Sequence, residues 1–372
     1  MVRRKLERVD RAVRRAVDRG EIPGAVILAK MGEIPPYEGV FGSAVLTPER
    51  CETRADTIYD LASLTKVLAT TTAILLLVAE QKLFLDQAVA DLLPEFAAQG
   101  KEKVTVRHLL THSSGLRPWR SYYEDLREWE HRKGERLLAT PEGRKRIIGR
   151  ILQSALLHEP GEAAVYGDLG FIVLGELVER VSGEPLDAFC SRKIFEPLGM
   201  GDTRFHPVPY RGDVARLAAT ELCPWRERVL VGEVHDGNAW AMGGVSGHSG
   251  LFSTTADVMR FAEELLAADR GESELFPADV VREFARRQEL PPESDWALGW
   301  DTPTRGASTS GQYFSERSVG HTGFTGTSLW IDLEQGAIVV MLSNRLHVVA
   351  KRSRFALRPL VHDLVLEAFR AA

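Results

Sequence analysis

No charged residue interrupts the run from Val67 to Ala79. A helix that is apolar on every face cannot lie on a surface, so this one belongs inside a large core. Directly before it stands Lys66. An ammonium at the mouth of a buried helix is costly unless something pairs with it, so Lys66 predicts a partner from elsewhere in the chain. Three residues earlier is Ser63, and on a helix the two side chains share a face, one turn apart. A serine that opens a helix lies beside unsatisfied backbone donors. Serine is a weak nucleophile until a base takes its proton, and a lysine whose pKa is lowered by desolvation is one such base. Ser63 is therefore a candidate nucleophile, Lys66 a candidate base, and the Ser63 amide a candidate half of an oxyanion hole. The plainer alternative is an N-cap serine followed by a solvated lysine.

A chain of 372 residues is long for one simple core and predicts two subdomains. Hydrophobic content of 44% and charged content of 27% place it among ordinary globular proteins. The net charge of −5 leaves no electrostatic footprint for nucleic acid or an anionic membrane. Two basic clusters, Arg3-Arg4-Lys5 and Arg144-Lys145-Arg146 with Arg150, read as solvated helix faces. Cys51, Cys190 and Cys223 are too few and too scattered for a disulfide framework or a zinc site. The first ten residues hold no apolar signal region, and the run after Lys66 is too short to span a membrane, so a cytoplasmic protein is expected.

Other catalytic templates are missing. Gly247-His248-Ser249-Gly250 is followed by Leu251, so it is not a Gly-x-Ser-x-Gly elbow, and His158-Glu159 runs into Pro160 rather than toward a second histidine. The histidines show no metal-ligand spacing and no phosphate loop or dinucleotide fingerprint occurs, so neither metal nor cofactor is expected. His235-Asp236 reads as turn capping, and His112 and His248 as loop-packing residues.

Along the chain, Leu6, Val9, Val13, Ala16 and Val17 recur at helical spacing up to Gly20. A short strand follows at 25–29, with a hairpin partner at 39–44 across a loop holding Pro35 and Pro36. Residues 82–240 read as helices and long loops punctuated by prolines from Pro94 to Pro207, with a clear helix from Leu169 to Val181 stopped at Ser182-Gly183. Near the end, 328–332 and 337–342 flank the turn Glu334-Gln335-Gly336, and a last helix runs from Pro359 to Phe369. Strands at both ends with helices between predict an α/β (α+β) fold. One subdomain, an antiparallel sheet flanked by helices, would comprise 1–66 with 241–372. The other, mostly helical, would comprise 67–240, with a cleft between the two.

Three further segments carry candidate chemistry. Tyr166-Gly167-Asp168 precedes the helix at Leu169, where a phenol can be aimed into a cleft, although a core tyrosine is the plainer reading. Gly320-His321-Thr322-Gly323-Phe324 leads into the C-terminal hairpin, and its glycines let a ligand approach the backbone. The glycine-dense turn at 243–253 either packs two subdomains or lines a cleft. In order, Ser63-x-x-Lys66, Tyr166-Gly167-Asp168 and His321-Thr322-Gly323 resemble the motifs of the serine β-lactamase and penicillin-binding-protein superfamily. The likeness is nearest to its β-lactamase-like serine hydrolases, which include family VIII esterases and D-aminopeptidase and DD-peptidase relatives. Supporting stretches are His108 to Leu116, Phe195 to Met200, and His248 to Ser253.

The resemblance implies roles. Ser63 would be the acylated nucleophile, Lys66 its proton acceptor or that acceptor's electrostatic partner, and Tyr166 the group passing the proton to the leaving group. The amides of Ser63 and Phe324 would form the oxyanion hole, and Asp168, His321, Thr322 and Gly323 would line the substrate cleft. Two positions depart from the superfamily pattern, which commonly has Asn where Asp168 stands and Lys where His321 stands. A histidine of ordinary pKa is mostly neutral at pH 7 and offers a substrate carboxylate no permanent cation. Asp168 would repel such a carboxylate, or pair with Lys66, hold it charged and shift the base role to Tyr166. Both changes disfavour penicillins and peptides ending in D-alanine and favour a neutral, short-chain ester as the small-molecule substrate. A DD-peptidase or D-amino-acid amidase and a weak β-lactamase are the alternatives within the superfamily, and a non-catalytic binding module of the same fold is the alternative outside enzymology. Trp119, Tyr122, Tyr123 and Trp129 either wall the acyl pocket or pack.

Overall fold

The computed structural model describes residues 2–205, 214–304, 306, 308–347 and 356–371. Pro207, read above as punctuation, lies outside them. The strands in chain order are β1 (Gly24–Met31), β2 (Ile34–Val45), β3 (Cys51–Glu52), β4 (Tyr59–Asp60), β5 (Arg204–Phe205), β6 (Ala219–Cys223), β7 (Arg228–Val231), β8 (Leu251–Ser253), β9 (Ser318–Thr322), β10 (Ser328–Asp332) and β11 (Ala337–Ser343). Six of them form the main antiparallel sheet in the order β3-β2-β1-β11-β10-β9, which joins the two ends of the chain through the β1–β11 pair.

Side-chain alternation explains how this sheet is buried on both faces. Along β11, Ile338, Val340 and Leu342 enter the large central core. Ala337, Val339 and Met341 point the other way, into a second core. That second core holds Val9, Val13 and Ala16 from the first helix, Val2–Asp18, and Val361, Val365 and Phe369 from the last, Leu357–Phe369. The turn between β10 and β11 is closed by the Asp332 carboxylate, which accepts from the amides of Glu334 and Gln335.

The apolar run lies where its composition demands. Every residue from Lys66 to Leu77 is buried, first in a π-helical turn, Lys66–Thr71, then in the α-helix Thr72–Ala79. Neighbouring helices, Leu169–Ser182 among them, share its core. Gly183 ends that second helix at φ 75°, the left-handed cap its sequence predicts.

Two expectations need correction. Pro35 and Pro36 lie in β2 rather than in a loop; the turn comes earlier, at Gly32-Glu33. The prolines fit because they occupy the register break between the pairs Met31↔Ile34 and Ala29↔Tyr37, where no ladder donor is needed. Within 82–240, read as helix and loop, β6 and β7 form a hairpin and β5 joins β4 and β8 in a small sheet. Those strands are short, and two-residue strands carry no readable period.

Candidate active site

The turn before Ser63 is pinned from three directions. The Asp60 carboxylate accepts the Ala62 amide at 2.8 Å and the His235 amide at 2.7 Å. The Thr325 hydroxyl donates to the Asp60 carbonyl at 2.7 Å and the Thr327 hydroxyl to the Leu61 carbonyl at 3.0 Å. The Leu61 amide donates to the Leu251 carbonyl at 2.9 Å. Held this way, Ala62 takes φ 47°, an uncommon left-handed conformation for a residue with a side chain. The turn presents Ser63, half-buried, to the cleft.

Lys66 is fully buried and its Nζ donates three ways: to Ser63 Oγ at 3.1 Å, to Asp168 Oδ1 at 2.7 Å and to the His248 carbonyl at 3.1 Å. The partner its position required is thus Asp168. Burial by itself pulls the lysine pKa down, but the Asp168 carboxylate, with Tyr166 beside it, outweighs burial and raises it. The lysine is held as an ammonium: of the two expectations for it, the lowered pKa is corrected and the pairing with Asp168 stands.

Tyr166 stands over this pair. Lys66 Nζ lies 5.2 Å from the centre of its ring, and its phenol interacts with the Ser63 and Lys66 side chains. One face of the residue is open, at 41% exposure. Burial of the hydroxyl end raises the phenol pKa, and the nearby ammonium offsets part of that rise. Trp296 stacks on Tyr166 at 5.6 Å and 13°.

On the facing wall, His321 is buried and its Nδ1–H donates to the Thr322 carbonyl at 3.0 Å, which leaves Nε2 as an acceptor. Burial first, then the Lys66 charge, lowers its pKa to about 3. Gly323 has no room for a side chain: a Cβ there would meet Thr327 Oγ1 at 2.1 Å and the Leu61 carbonyl at 2.5 Å. That close approach carries the backbone past the Ser63 turn, with Phe324 next in line and half exposed. Among the described residues, the amides of Ser63 and Phe324 have no hydrogen-bond partner.

These groups share a cleft of about 710 Å³ lined by Ser63, Tyr166, Asp168, His321, Thr322, Gly323 and Phe324. The structure thus brings every sequence-predicted site residue together, with Lys66 behind Ser63. Of the four aromatic residues proposed for the acyl pocket, Trp119 and Tyr123 line the cleft. Tyr122 is buried in the core and Trp129 packs against it.

Trp296 and Trp225 carried no sequence signal, whereas Asp236 was read as turn capping and is found as a cap. Trp296 comes from a stretch without regular structure, and Trp225 stacks on Tyr123 at 4.9 Å. Asp236 caps the short helix Gly237–Ala241 through the Ala239 amide at 2.7 Å, and also meets His248 Nε2 at 2.8 Å. Asp168, Asp236 and His248 bring ligand-type atoms within 4.8 Å of one another. All three positions are already engaged, Asp168 by the Lys66 ammonium and His248 and Asp236 by each other, so the group is a paired polar network on the cleft floor.

Among the described residues, no helix is long and apolar enough to cross a membrane. The β-lactamase family model matches residues 9–362. A protein of Escherichia coli strain K12 named "Putative D-alanyl-D-alanine carboxypeptidase" is 32% identical over 370 residues, which cover 92% of this chain and 83% of that one. Among solved structures, EstCE1, described as a hydrolase with promiscuous acyltransferase activity, superposes with a TM-score of 0.74 at 22% identity over 98% of this chain and 99% of its own. A penicillin-binding protein homologue from Pyrococcus abyssi gives 0.73 at 23% identity over 98% of this chain and 77% of its own. Both likenesses show a common fold. Family match, relative and fold agree with the motif order read from the residues: this chain belongs to the β-lactamase family of serine hydrolases, together with the penicillin-binding proteins.

Proposed function

We infer that this hydrolase is a carboxylesterase acting on short-chain esters through an acyl-enzyme on Ser63. The observation that carries this reading is the chemistry at positions 321 and 168, while the guanidiniums of Arg345 and Arg358 line the cleft elsewhere. His321 is a neutral imidazole down to about pH 3 and Asp168 is taken up by Lys66, so those two positions offer a substrate carboxylate no cation. A substrate without a carboxylate loses nothing there.

Ser63 Oγ attacks the ester carbonyl carbon, and its proton passes to the Tyr166 oxygen. Tyr166 delivers a proton to the departing alkoxide, the C–O bond breaks, and the alcohol leaves. Tyr166 takes the serine proton as the phenolate, the form the Lys66 ammonium favours against the burial that raises its pKa; held charged by Asp168, Lys66 cannot accept that proton itself. The amides of Ser63 and Phe324 receive the tetrahedral oxyanion. Water then attacks the acyl carbon by the reverse route, giving the acid and free Ser63. Thr322 and Gly323 line the substrate's path on the His321 side.

A second reading, a DD-peptidase or D-amino-acid amidase, is favoured by the name carried by the 32% identical Escherichia coli relative. Hydrolysis of p-nitrophenyl butyrate and of nitrocefin by wild type and Ser63→Ala separates the readings. Ester turnover is expected to fall by about 10⁴-fold in the variant, with little nitrocefin turnover in either protein. Ester turnover that survives in Ser63→Ala would refute the acyl-enzyme. Turnover of a D-alanyl-D-alanine peptide in preference to the ester would move the assignment to the second reading.

A further inference from the structure

Tyr166 lies in a stretch, 163–167, that has no regular structure of its own. Something outside it must hold the phenol in place. His112 does so from both sides. Its carbonyl accepts the Val165 amide at 2.9 Å, and its Nδ1 accepts the Gly167 amide at 3.4 Å. The residues before and after Tyr166 therefore hang on one side chain and its own backbone.

The His112 ring also clamps the phenol ring. It meets Tyr166 edgewise at 4.8 Å and Trp296 edgewise at 4.5 Å, and lies 5.2 Å from Phe171. Trp296 in turn stacks on Tyr166. To reach this place His112 adopts φ 56° while only 6% exposed. A buried residue with a side chain in a left-handed backbone conformation is uncommon and of the kind that clusters at functional sites.

The hydrogen bonds fix the ring's protonation state. An amide only donates, so Nδ1 holds a lone pair and the ring proton is on Nε2. That Nε2–H has no hydrogen-bond partner among the described residues. Burial, with Lys66 and His321 close by, keeps the ring neutral. A proton on Nδ1 would orphan the Gly167 amide and set a second cation beside Lys66. An apolar side chain here would pack, but could not accept from Gly167.

We propose that His112 is a positioning residue for Tyr166: through Nδ1 and the Gly167 amide it fixes the phenol over Ser63 and Lys66, and so sets the rate at which Ser63 is acylated. This rests on the proton-transfer role given to Tyr166 above.

The test uses kcat and KM for p-nitrophenyl butyrate, with the rate of Ser63 labelling by a fluorophosphonate as a readout independent of the true substrate. His112→Phe keeps the ring and removes the acceptor. It should lower kcat and the labelling rate by about 100-fold with KM within about twofold. His112→Asn places Oδ1 near the position of Nδ1 and tolerates the left-handed backbone, and should recover to within about fivefold of wild type. In a Tyr166→Phe background, His112→Phe should cost less than about twofold more, because its effect passes through the phenol.

Equal rates for His112→Phe and His112→Asn would overturn the proposal, as would an undiminished His112→Phe penalty in the Tyr166→Phe background. Tyr166→Phe labelled at the wild-type rate would overturn the role of Tyr166 and this proposal with it. Tyr166→Phe slow and His112→Phe fast would overturn this proposal alone. If melting shows that His112→Phe does not fold, His112→Gln, whose amide reaches toward Nε2 instead, takes its place with the same expectations.

Discussion

On the Ser63 side of the cleft, charge is packed tightly and paired. Lys66 has three acceptors, the Asp168 carboxylate is bound to it, and the Asp236 carboxylate is bound to His248. On the facing side, His321 is buried and neutral, Thr322 and Gly323 present backbone, and aromatic rings such as Phe324 and Trp296 form the surface. The first wall has few degrees of freedom, because removing one partner strands a buried charge. The second carries its charge on Arg345 and Arg358 rather than on a paired cluster at the nucleophile, with Arg358 buried and donating to the Gly323 and Gly326 carbonyls. Chemistry common to many acyl transfers belongs to the first wall, and the choice among esters, peptides and lactams belongs to the second.

The largest effect should come from breaking the paired wall. Lys66→Met keeps most of the volume but leaves Asp168 without its cation. We expect kcat on the best ester to fall by about 10³-fold, since the ammonium no longer supports the phenol. Stability should fall by roughly 3 kcal/mol or less, because Asp168 keeps some contact with water. A variant within tenfold of wild type would show that the ammonium is dispensable. Asp168→Asn sharpens the same point. Burial of Lys66 is then opposed only by Tyr166 and its pKa drops, so that lysine can take over as base. Its activity should rise with pH through the new lysine pKa, giving an acid limb at lower pH than in wild type, where the base is a phenol whose pKa is raised by burial. Superimposable pH–rate profiles for the two proteins would show that the pair does not govern the base.

A smaller change is expected from the facing wall. His321→Lys restores a permanent cation where the superfamily commonly has one. The ratio of nitrocefin to ester turnover should increase by about tenfold, with a charge-assisted contact now available to the lactam carboxylate. An unchanged ratio would mean that selectivity is set by Trp119, Tyr123 and the other rings rather than by His321.

The contrast between the walls also explains what the sequence could reveal. The paired wall was legible because its parts are local or punctuated. Ser63 and Lys66 are one helical turn apart, the charge-free run behind them announces burial, and a buried lysine demands a partner. The β10–β11 hairpin and both terminal helices were legible for the same reason, since period and turn chemistry mark them. Trp296, Trp225 and the Asp236–His248 contact were not, because each arises where irregular segments meet in space, and no spacing encodes that. His112 was read as loop packing, which its ring contacts bear out; the two hydrogen bonds around Tyr166 depend on the return of 157–168 alongside 112–118, a pairing no local pattern announces. The sequence left two readings of Lys66, a pKa lowered by burial or a charge held by Asp168, and the 2.7 Å contact that decides for the second is set by residues 102 positions apart in the chain.

The smallest expected effect is thermodynamic and separates the walls by pH. His321 titrates at about 3 in the folded chain, against an ordinary histidine value of 6.5 when unfolded. Between those values the unfolded chain binds a proton that the folded chain refuses. Stability is therefore complete above about pH 6.5 and is lost as pH falls toward 3, by at most about 1.4 kcal/mol per pH unit for this group. His362, buried between Ser328 and the Thr309 carbonyl far from the nucleophile, is lowered to about 3 by the same burial and adds a parallel slope. Asp236, on the paired wall, behaves differently. Its pKa is depressed, chiefly by His248 against the cost of burial, so its contribution is intact above about pH 4 and is lost only below it. His112 adds to the upper slope, and Glu176 and Asp301, raised to about 7 by burial, pull the other way. The two stages of melting temperature from pH 7 to pH 3 are therefore read as differences between each variant and wild type. His321→Asn should flatten the stage between pH 6.5 and 4, and Asp236→Asn only the stage below pH 4. If His321→Asn leaves the upper stage as steep as in wild type, His321 is not the neutral buried group on which the ester reading depends.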